Sequence, residues 1–284
     1  QGQAMFKAAT DKHGRVDVLV NNVGWDKLMF FTQTTPDLWR KIIDINYVGV
    51  LNCTKTALDL MTAKGQVVAR YNGGNNAGHT IIIGKERFVL HLIPSGILHP
   101  GILCVMGNGM VVAPEALEAE IAALQERGVE VGENLVISDR AHLILPHHRL
   151  MEAMAEESRG ARKIGTTLRG IGPAYEDKAG RRGLRMGDLL RPQFLPGKLA
   201  ETRRHYELIC RGAGRAPEMD WDRLVSDLAS FGERQRARIQ DVSLVLARQL
   251  AQGYSILFEG AQAPLLDIDH GPYPYVTSSS AVAG

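Results

Sequence analysis

Cysteine is scarce in this chain of 284 residues, and long apolar runs and an excess of either charge are missing. Cys53, Cys104 and Cys210 are its three cysteines, odd in number and widely spaced, which argues against a disulfide framework or a zinc site and fits reduced thiols. No apolar stretch approaches the roughly 18–20 residues that a membrane-spanning helix needs. The opening Gln-Gly-Gln-Ala-Met-Phe-Lys has neither the basic start nor the apolar run of a secretory leader. A cytoplasmic protein without a membrane partner is therefore expected. Lys and Arg number 33 against 31 Asp and Glu, a formal charge of +2, so no nucleic-acid partner is expected either. A hydrophobic content of 45% with 23% charged residues is that of a folded chain with a core.

What is present divides at one point. Residues 1–65 read as a helix tail closed by Gly14, a β-branched strand from Val16 to Val20, a loop at Asn21-Asn22-Val23-Gly24, and a helix opened by Thr35-Pro36-Asp37. Proline at the first helical position costs nothing, because its missing N–H has no partner there anyway. From Gln66 the texture changes. Strands are expected at Val67–Tyr71, Ile81–Ile83, Phe88–Leu92, Ile102–Met106 and Ser255–Phe258. Helices are expected from Pro114 to Gly128, around His148–Ser158, and over most of Trp221–Ala251, with Gly165 to Pro173 as loop. Strands alternating with helices give an α/β fold.

Two polar loops stand out by their chemistry. Asn72 to Thr80 is rich in Gly and Asn and ends in His79; glycines admit close backbone approach, and amides offer donors and acceptors together. Gly165-Thr166-Thr167-Leu168-Arg169-Gly170 offers hydroxyls, backbone amides and a guanidinium, which suit a phosphate. It is no Walker loop, since Gly-Lys-Ser/Thr is absent. Asp267-Ile268-Asp269-His270 and His147-His148 are compatible with metal ligation, but adjacent residues point apart and no complete ligand set is present.

Asp17-Val18-Leu19-Val20-Asn21-Asn22-Val23-Gly24 and, further on, Asp44-Ile45-Asn46 make residues 1–65 resemble the middle of a short-chain dehydrogenase/reductase. The resemblance implies a Rossmann-type strand–loop–helix fragment, with Asn46 at a catalytic position. No glycine-rich pyrophosphate turn precedes Asp17, and no Tyr has a Lys four residues later. NAD(P)-dependent hydride transfer is therefore an alternative carried by these 65 residues alone, and they are expected to pack loosely or be displaced.

Gly73-Gly-Asn-Asn-Ala-Gly-His-Thr80, His91-Leu-Ile-Pro-Ser-Gly-Ile-Leu98, Gly170-Ile-Gly-Pro-Ala-Tyr-Glu-Asp-Lys178, Phe258-Glu-Gly-Ala-Gln262, Leu265-Leu-Asp-Ile-Asp-His-Gly271 and Tyr273-Pro-Tyr-Val-Thr-Ser-Ser279 are longer motifs. Through them residues 66–284 resemble the adenylosuccinate synthetase family. The resemblance implies a synthetase-like central β-sheet with surrounding helices, and the joining of IMP to L-aspartate with GTP and Mg²⁺. It implies catalytic roles for His79 and Gln262, and IMP contacts from Asn76, Thr167, Gln262 and Thr277. It also implies a Mg²⁺ contact from the Gly78 carbonyl, and a homodimer in which Arg181 reaches the partner's IMP.

The family's Gly-Asp-Glu-Gly-Lys-Gly-Lys loop, which carries a general-base Asp and a phosphate Lys, is expected just upstream of Gln66 and is not found there. Gly284 falls before the family's aspartate loop and guanine-recognising segment, so an impaired or inactive chain is expected. Leu168, Ala263-Pro264 and Pro272 stand where the family has Gly, Gly-Thr and Thr. A non-catalytic IMP-binding or dimerising module is the remaining alternative.

Overall fold

A computed structural model describes residues 2–13, 18–19, 31–48 and 66–282. Its centre is a parallel sheet formed by β1 (Val18–Leu19), β2 (Gln66–Gly73), β5 (Leu103–Val112), β6 (Leu135–Ser138), β8 (Ile239–Gln240) and β9 (Ser255–Glu259), in the order β1-β9-β2-β5-β6-β8. A seventh strand, β7 (His142–Leu143), pairs with the far end of β5. The hairpin of β3 (His79–Ile83) and β4 (Glu86–Leu90) stands apart as an antiparallel pair.

Burial on both faces explains why these strands read as nearly continuous apolar runs. Side chains alternate across a strand, and the two sides of this sheet meet different cores. Cys104, Met106, Leu135 and Ile137 join a large cluster with Leu117, Leu199, Trp221 and Leu228. Val105, Val136, Val67, Ala69 and Ile256 join a smaller one with Val242. Each fully buried Leu, Ile or Met side chain contributes roughly 1.5–3 kcal/mol, so the sheet centre is the most strongly held part of the chain. Cys104 and Cys210 are buried and unpaired, as expected of reduced thiols, and burial raises the Cys104 pKa, keeping the thiol protonated and inert. Cys53 lies outside the described residues.

The helices covering the sheet are α3 (Pro114–Glu126), α4 (Pro146–Ser158), α5 (Ile171–Ala179), α6 (Leu195–Gly212), α7 (Trp221–Gln235) and α8 (Val242–Ala251), following α1 (Gly2–His13) and α2 (Pro36–Ile43). Two departures from the sequence expectation matter for function. The glycine-bearing loop ends at Gly170 rather than Pro173, because Gly170 takes a left-handed φ of 80° and starts α5 with Pro173 still in its first turn. Helix α6 was not expected at all; its charged face hides a sparse buried stripe of Leu195, Leu199, Thr202, Tyr206 and Cys210.

Of the amino-terminal segment expected to pack loosely or be displaced, Val18 and Leu19 continue the sheet beside Ile256 and Leu257. A strand edge exposes unpaired N–H and C=O groups, and any extended segment of suitable length satisfies them. The join around residue 65 lies outside the described residues.

Candidate functional site

In a parallel sheet, ligands bind beyond the carboxyl ends of the strands. Here the exits of β2 and β9 are interlocked. The Ala261 N–H donates to Asn72 Oδ1 at 3.0 Å, and Gln262 Nε2 donates to Asn76 Oδ1 at 3.3 Å. Gly73 makes this approach possible. Its φ is +78°, and a side chain there would collide with the Ala261 methyl, so only glycine fits. Its N–H donates to the Tyr175 hydroxyl at 3.0 Å, which in turn donates to the Gly109 carbonyl at 2.7 Å. Burial pushes the Tyr175 pKa up to about 12, so the hydroxyl stays neutral.

The second loop is held by α4. Glu152 Oε2 accepts from the Gly170 N–H at 2.6 Å, and Glu156 Oε2 from the Gly165 N–H at 2.9 Å. The Gly165 N–H, more than any other contact, holds the Glu156 carboxyl below its ordinary range. Arg169 Nη1 donates to the Asn75 carbonyl, tying the two loops together. Between them lies a cleft of about 390 Å³ lined by Asn76, Thr167, Gln262 and Thr277 together with Thr166 and Glu152. All four residues singled out as IMP contacts therefore line one cavity. Three polar atoms of this lining are buried without a partner, namely Thr166 Oγ, Thr277 Oγ and Gln262 Oε1. Buried polar atoms are nearly always paired in folded proteins, so three unpaired ones on this cleft are free to accept a partner. A larger cavity of about 860 Å³, beside Tyr71, Lys178 and Ser280, is lined by none of these six residues.

His79 opens β3 at the flank of the cleft. Its Nδ1 lies 3.2 Å from Glu259 Oε1, and its Nε2 is 3.3 Å from the Ala261 carbonyl. Glu259 was not singled out from sequence, although it sits inside the Phe258–Gln262 motif. Its Oε2 accepts from the Ser95 N–H at 2.9 Å and the Ser95 hydroxyl at 2.5 Å. Burial alone would raise its pKa, yet the contacts from His79 and Ser95 hold it below the ordinary value. Arg70, wholly buried and in register with Glu259 across the sheet, supplies a facing positive charge. A carboxylate behind a histidine fixes the ring's orientation.

Arg181 does not reach the cleft. It is exposed and follows α5 with a left-handed φ of 61°. Leu168 also has a left-handed φ, 53°, and its side chain is 51% exposed; a glycine-like backbone thus carries a Cβ, which costs strain. Asn46 falls within the turn Asp44–Val48, while Asn21 and Asn22 lie outside the described residues.

His147, His148 and Asp177 come together in the interior; the two neighbouring rings, expected to point apart, lie with centroids 4.0 Å from each other. The Leu145 N–H donates to His148 Nδ1 at 2.9 Å, which puts the ring proton on Nε2, where it points at Asp177 at 3.0 Å. His147 Nε2 lies 3.5 Å from the same carboxylate oxygen, and the other faces Arg182 at 2.6 Å. Asp267 is structural, accepting backbone N–H groups from Asp269, His270, Ala281 and Val282.

A parallel sheet with amide- and hydroxyl-lined loops at its strand ends defines an α/β protein with a ligand cleft at the strand exits. Comparison with known proteins narrows this. The family profile described as adenylosuccinate synthetase matches residues 55–284, and one described as short chain dehydrogenase matches residues 1–70. The adenylosuccinate synthetase of Myxococcus xanthus (strain DK1622) is 49% identical over 236 residues, covering 80% of this chain and 53% of that protein. That of Solibacter usitatus (strain Ellin6076) is 50% identical over 227 residues, covering 80% and 52%. The solved structure of fully ligated adenylosuccinate synthetase from Plasmodium falciparum aligns with a TM-score of 0.70 at 33% identity, over 80% of this chain and 52% of that one. The chain belongs to the adenylosuccinate synthetase family, and it spans about half the length of the curated relatives it matches.

Proposed function

We propose that residues 66–284 form an IMP-binding domain of adenylosuccinate synthetase type, preceded by a dehydrogenase-derived segment, residues 1–65. The activity to which the domain belongs joins IMP and L-aspartate with GTP to give adenylosuccinate, GDP and phosphate, a step of purine nucleotide biosynthesis. The observation that carries this reading is the convergence of Asn76, Thr167, Gln262 and Thr277 on one cleft with unpartnered polar atoms.

In the proposed reaction the γ-phosphoryl group of GTP passes to the 6-oxygen of IMP, and GDP leaves. The aspartate amine then attacks C6, forming a C–N bond as the C–O bond breaks and phosphate departs. His79, set at the flank of the cleft by Glu259 and the Ala261 carbonyl, donates a hydrogen bond to charge developing on the phosphoryl oxygens. Gln262, beside it, hydrogen-bonds the 6-position of the base. Arg181, exposed on its turn, would serve the IMP phosphate of a second copy in a homodimer.

Mg²⁺ belongs to the family's chemistry, and the hard cation takes oxygen ligands. The described residues do not fit it by themselves. The nearby carboxylates Glu152 and Glu259 are already engaged by Gly170 and Ser95, which leaves the Gly78 carbonyl alone. No step is routed through the ion.

No amino-terminal Gly-Asp-Glu-Gly-Lys-Gly-Lys loop precedes Gln66, so the chain as it stands is proposed to bind IMP without forming adenylosuccinate at a useful rate. Loss of a positioned base alone costs roughly 10²–10⁴ in rate. Hydride transfer is not proposed, because no Tyr has a Lys four residues on. A cytoplasmic location accords with the absence, among the described residues, of a helix long and apolar enough to cross a membrane. Isothermal titration with IMP tests the proposal. Saturable binding that weakens at least tenfold in Gln262→Ala is expected, and an IMP titration with no heat above dilution would sink it.

A further inference from the structure

We infer that Glu152 and Glu156 are positioning residues that shape the loop 164–170 for a phosphate, and so set the phosphate-dependent part of nucleotide affinity. The inference rests on the reading that the cleft takes IMP. The two carboxylates are four residues apart on α4 and therefore share one face of it. Both are buried, and both are directed at backbone rather than at side chains of the loop.

Glu156 holds the loop's first turn, accepting from Gly165 N at 2.9 Å and Ile164 N at 3.4 Å. Glu152 holds its far end through Gly170 N at 2.6 Å. Those two glycines have φ of +81° and +80°, so the grips fall on the two left-handed glycines that flank the loop's threonines. Thr166 and Thr167 lie between the grips and line the cavity with Thr277. The hydroxyls of Thr166 and Thr277 are buried without partners. Convergent hydroxyl donors are what a phosphomonoester dianion accepts from.

Two carboxylates behind a phosphate site would ordinarily repel the ligand. Glu156 directs its charge elsewhere: its Oε1 meets Arg159 Nη1 at 2.6 Å, and its other oxygen is taken by the Gly165 N–H. Glu152, which lines the cleft, has Oε2 turned to the Gly170 N–H. The carboxylates thus use up the amides that would otherwise let the loop close on itself, and leave the threonine hydroxyls facing inward. Replacing a carboxylate by an amide sets an N–H₂ group against backbone N–H groups, so the loop loses its anchor while the helix keeps its length and shape.

The experiment compares IMP with inosine, which lacks only the phosphate, on the full chain by titration calorimetry. The unaltered chain should prefer IMP. Glu156→Gln should weaken IMP about tenfold or more while changing inosine by less than about twofold, and Glu152→Gln should act in the same direction. A purely structural role would lower both ligands together and leave their ratio unchanged; that outcome, with circular dichroism showing folded variants, overturns the inference alone. If the unaltered chain binds no IMP, the functional reading and the inference fail together. Hydrogen exchange on the unaltered chain gives a measurement that needs no variant. The Gly165 and Gly170 amides should be protected without ligand, and exchange at open-chain rates at both would overturn the proposal.

Discussion

Helix α2 and helix α7 are both amphipathic and both start at a side-chain cap, yet they end in different environments. Thr35 accepts from the Leu38 N–H in the first, and Asp220 from the Arg223 N–H in the second. Helix α7 then buries Trp221, Leu224, Leu228 and Phe231 in the main core, whereas α2 buries none of its residues. Trp39 and Ile43 remain 40% and 53% exposed. The cap and the apolar stripe make a helix locally; only a facing surface converts the stripe into stability. In residues 66–284 that surface is the other side of a sheet. In residues 1–65 the described contact with the sheet is the two-residue ladder of Val18 and Leu19 on β9.

The contrast can be broken most forcefully at Gly73. A Cβ there would meet Ala261 and lie 3.1 Å from Gln262 Oε1, on a backbone with φ of +78°. Gly73→Ala should cost about 3 kcal/mol in urea unfolding and abolish IMP binding. A variant as stable as the parent would mean that the β2 and β9 exits are not interlocked.

Acid should act next most strongly, and on the second region. Burial, reinforced by the charges of Lys178 and Arg185, lowers the His142 pKa to about 4, and burial lowers that of His148 to about 4 against the pull of Asp177. Both fall below the ordinary value of 6.5, so the unfolded chain binds protons first. Stability is full above pH 6.5 and is lost as pH falls toward 4, by a few kcal/mol in order of magnitude. Melting temperatures measured from pH 7.5 to 4.5 should drop across that window, and a flat profile would show that the two rings are not buried neutral.

Smaller effects sharpen the comparison. Leu168→Gly removes the strain of a left-handed leucine whose side chain is largely exposed, and should stabilise the loop by about 1 kcal/mol and tighten IMP. Weaker IMP binding in that variant would show that the leucine itself contacts the ligand. Ile43→Ser, at the exposed stripe of α2, where Ile43 is 53% exposed, should change stability by less than about 0.5 kcal/mol. A loss of several kcal/mol would mean that α2 packs against a surface outside the described residues.

Much of the site was legible in the chain because its motifs are contiguous. Gly73–Thr80 and Phe258–Gln262 each fit one strand exit, and residue type there is dictated by close backbone approach. Glu152, Glu156 and Glu259 were not legible as site residues. Glutamates in a helix or at a strand end are ordinary, and their partners lie 9 to 18 residues away for the first two and 164 away for the last. Helix α6 was missed because Arg203, Arg204 and Glu207 dilute an apolar stripe that only the core reveals.

The sequence by itself determined the longer strands, the helix starts at Pro36, Pro114 and Trp221 and the presence of two unrelated family patterns, because caps, β-branched runs and glycine loops act through neighbouring residues. Tertiary structure decided which glutamates hold the loop 164–170 and that His79 lies against Glu259. It also decided that His147, His148 and Asp177 meet in the interior, with Asp177 ion-paired to Arg182. These outcomes depend on distances between residues far apart in the chain, and on water being excluded where they meet; neither is written in any local run of residues.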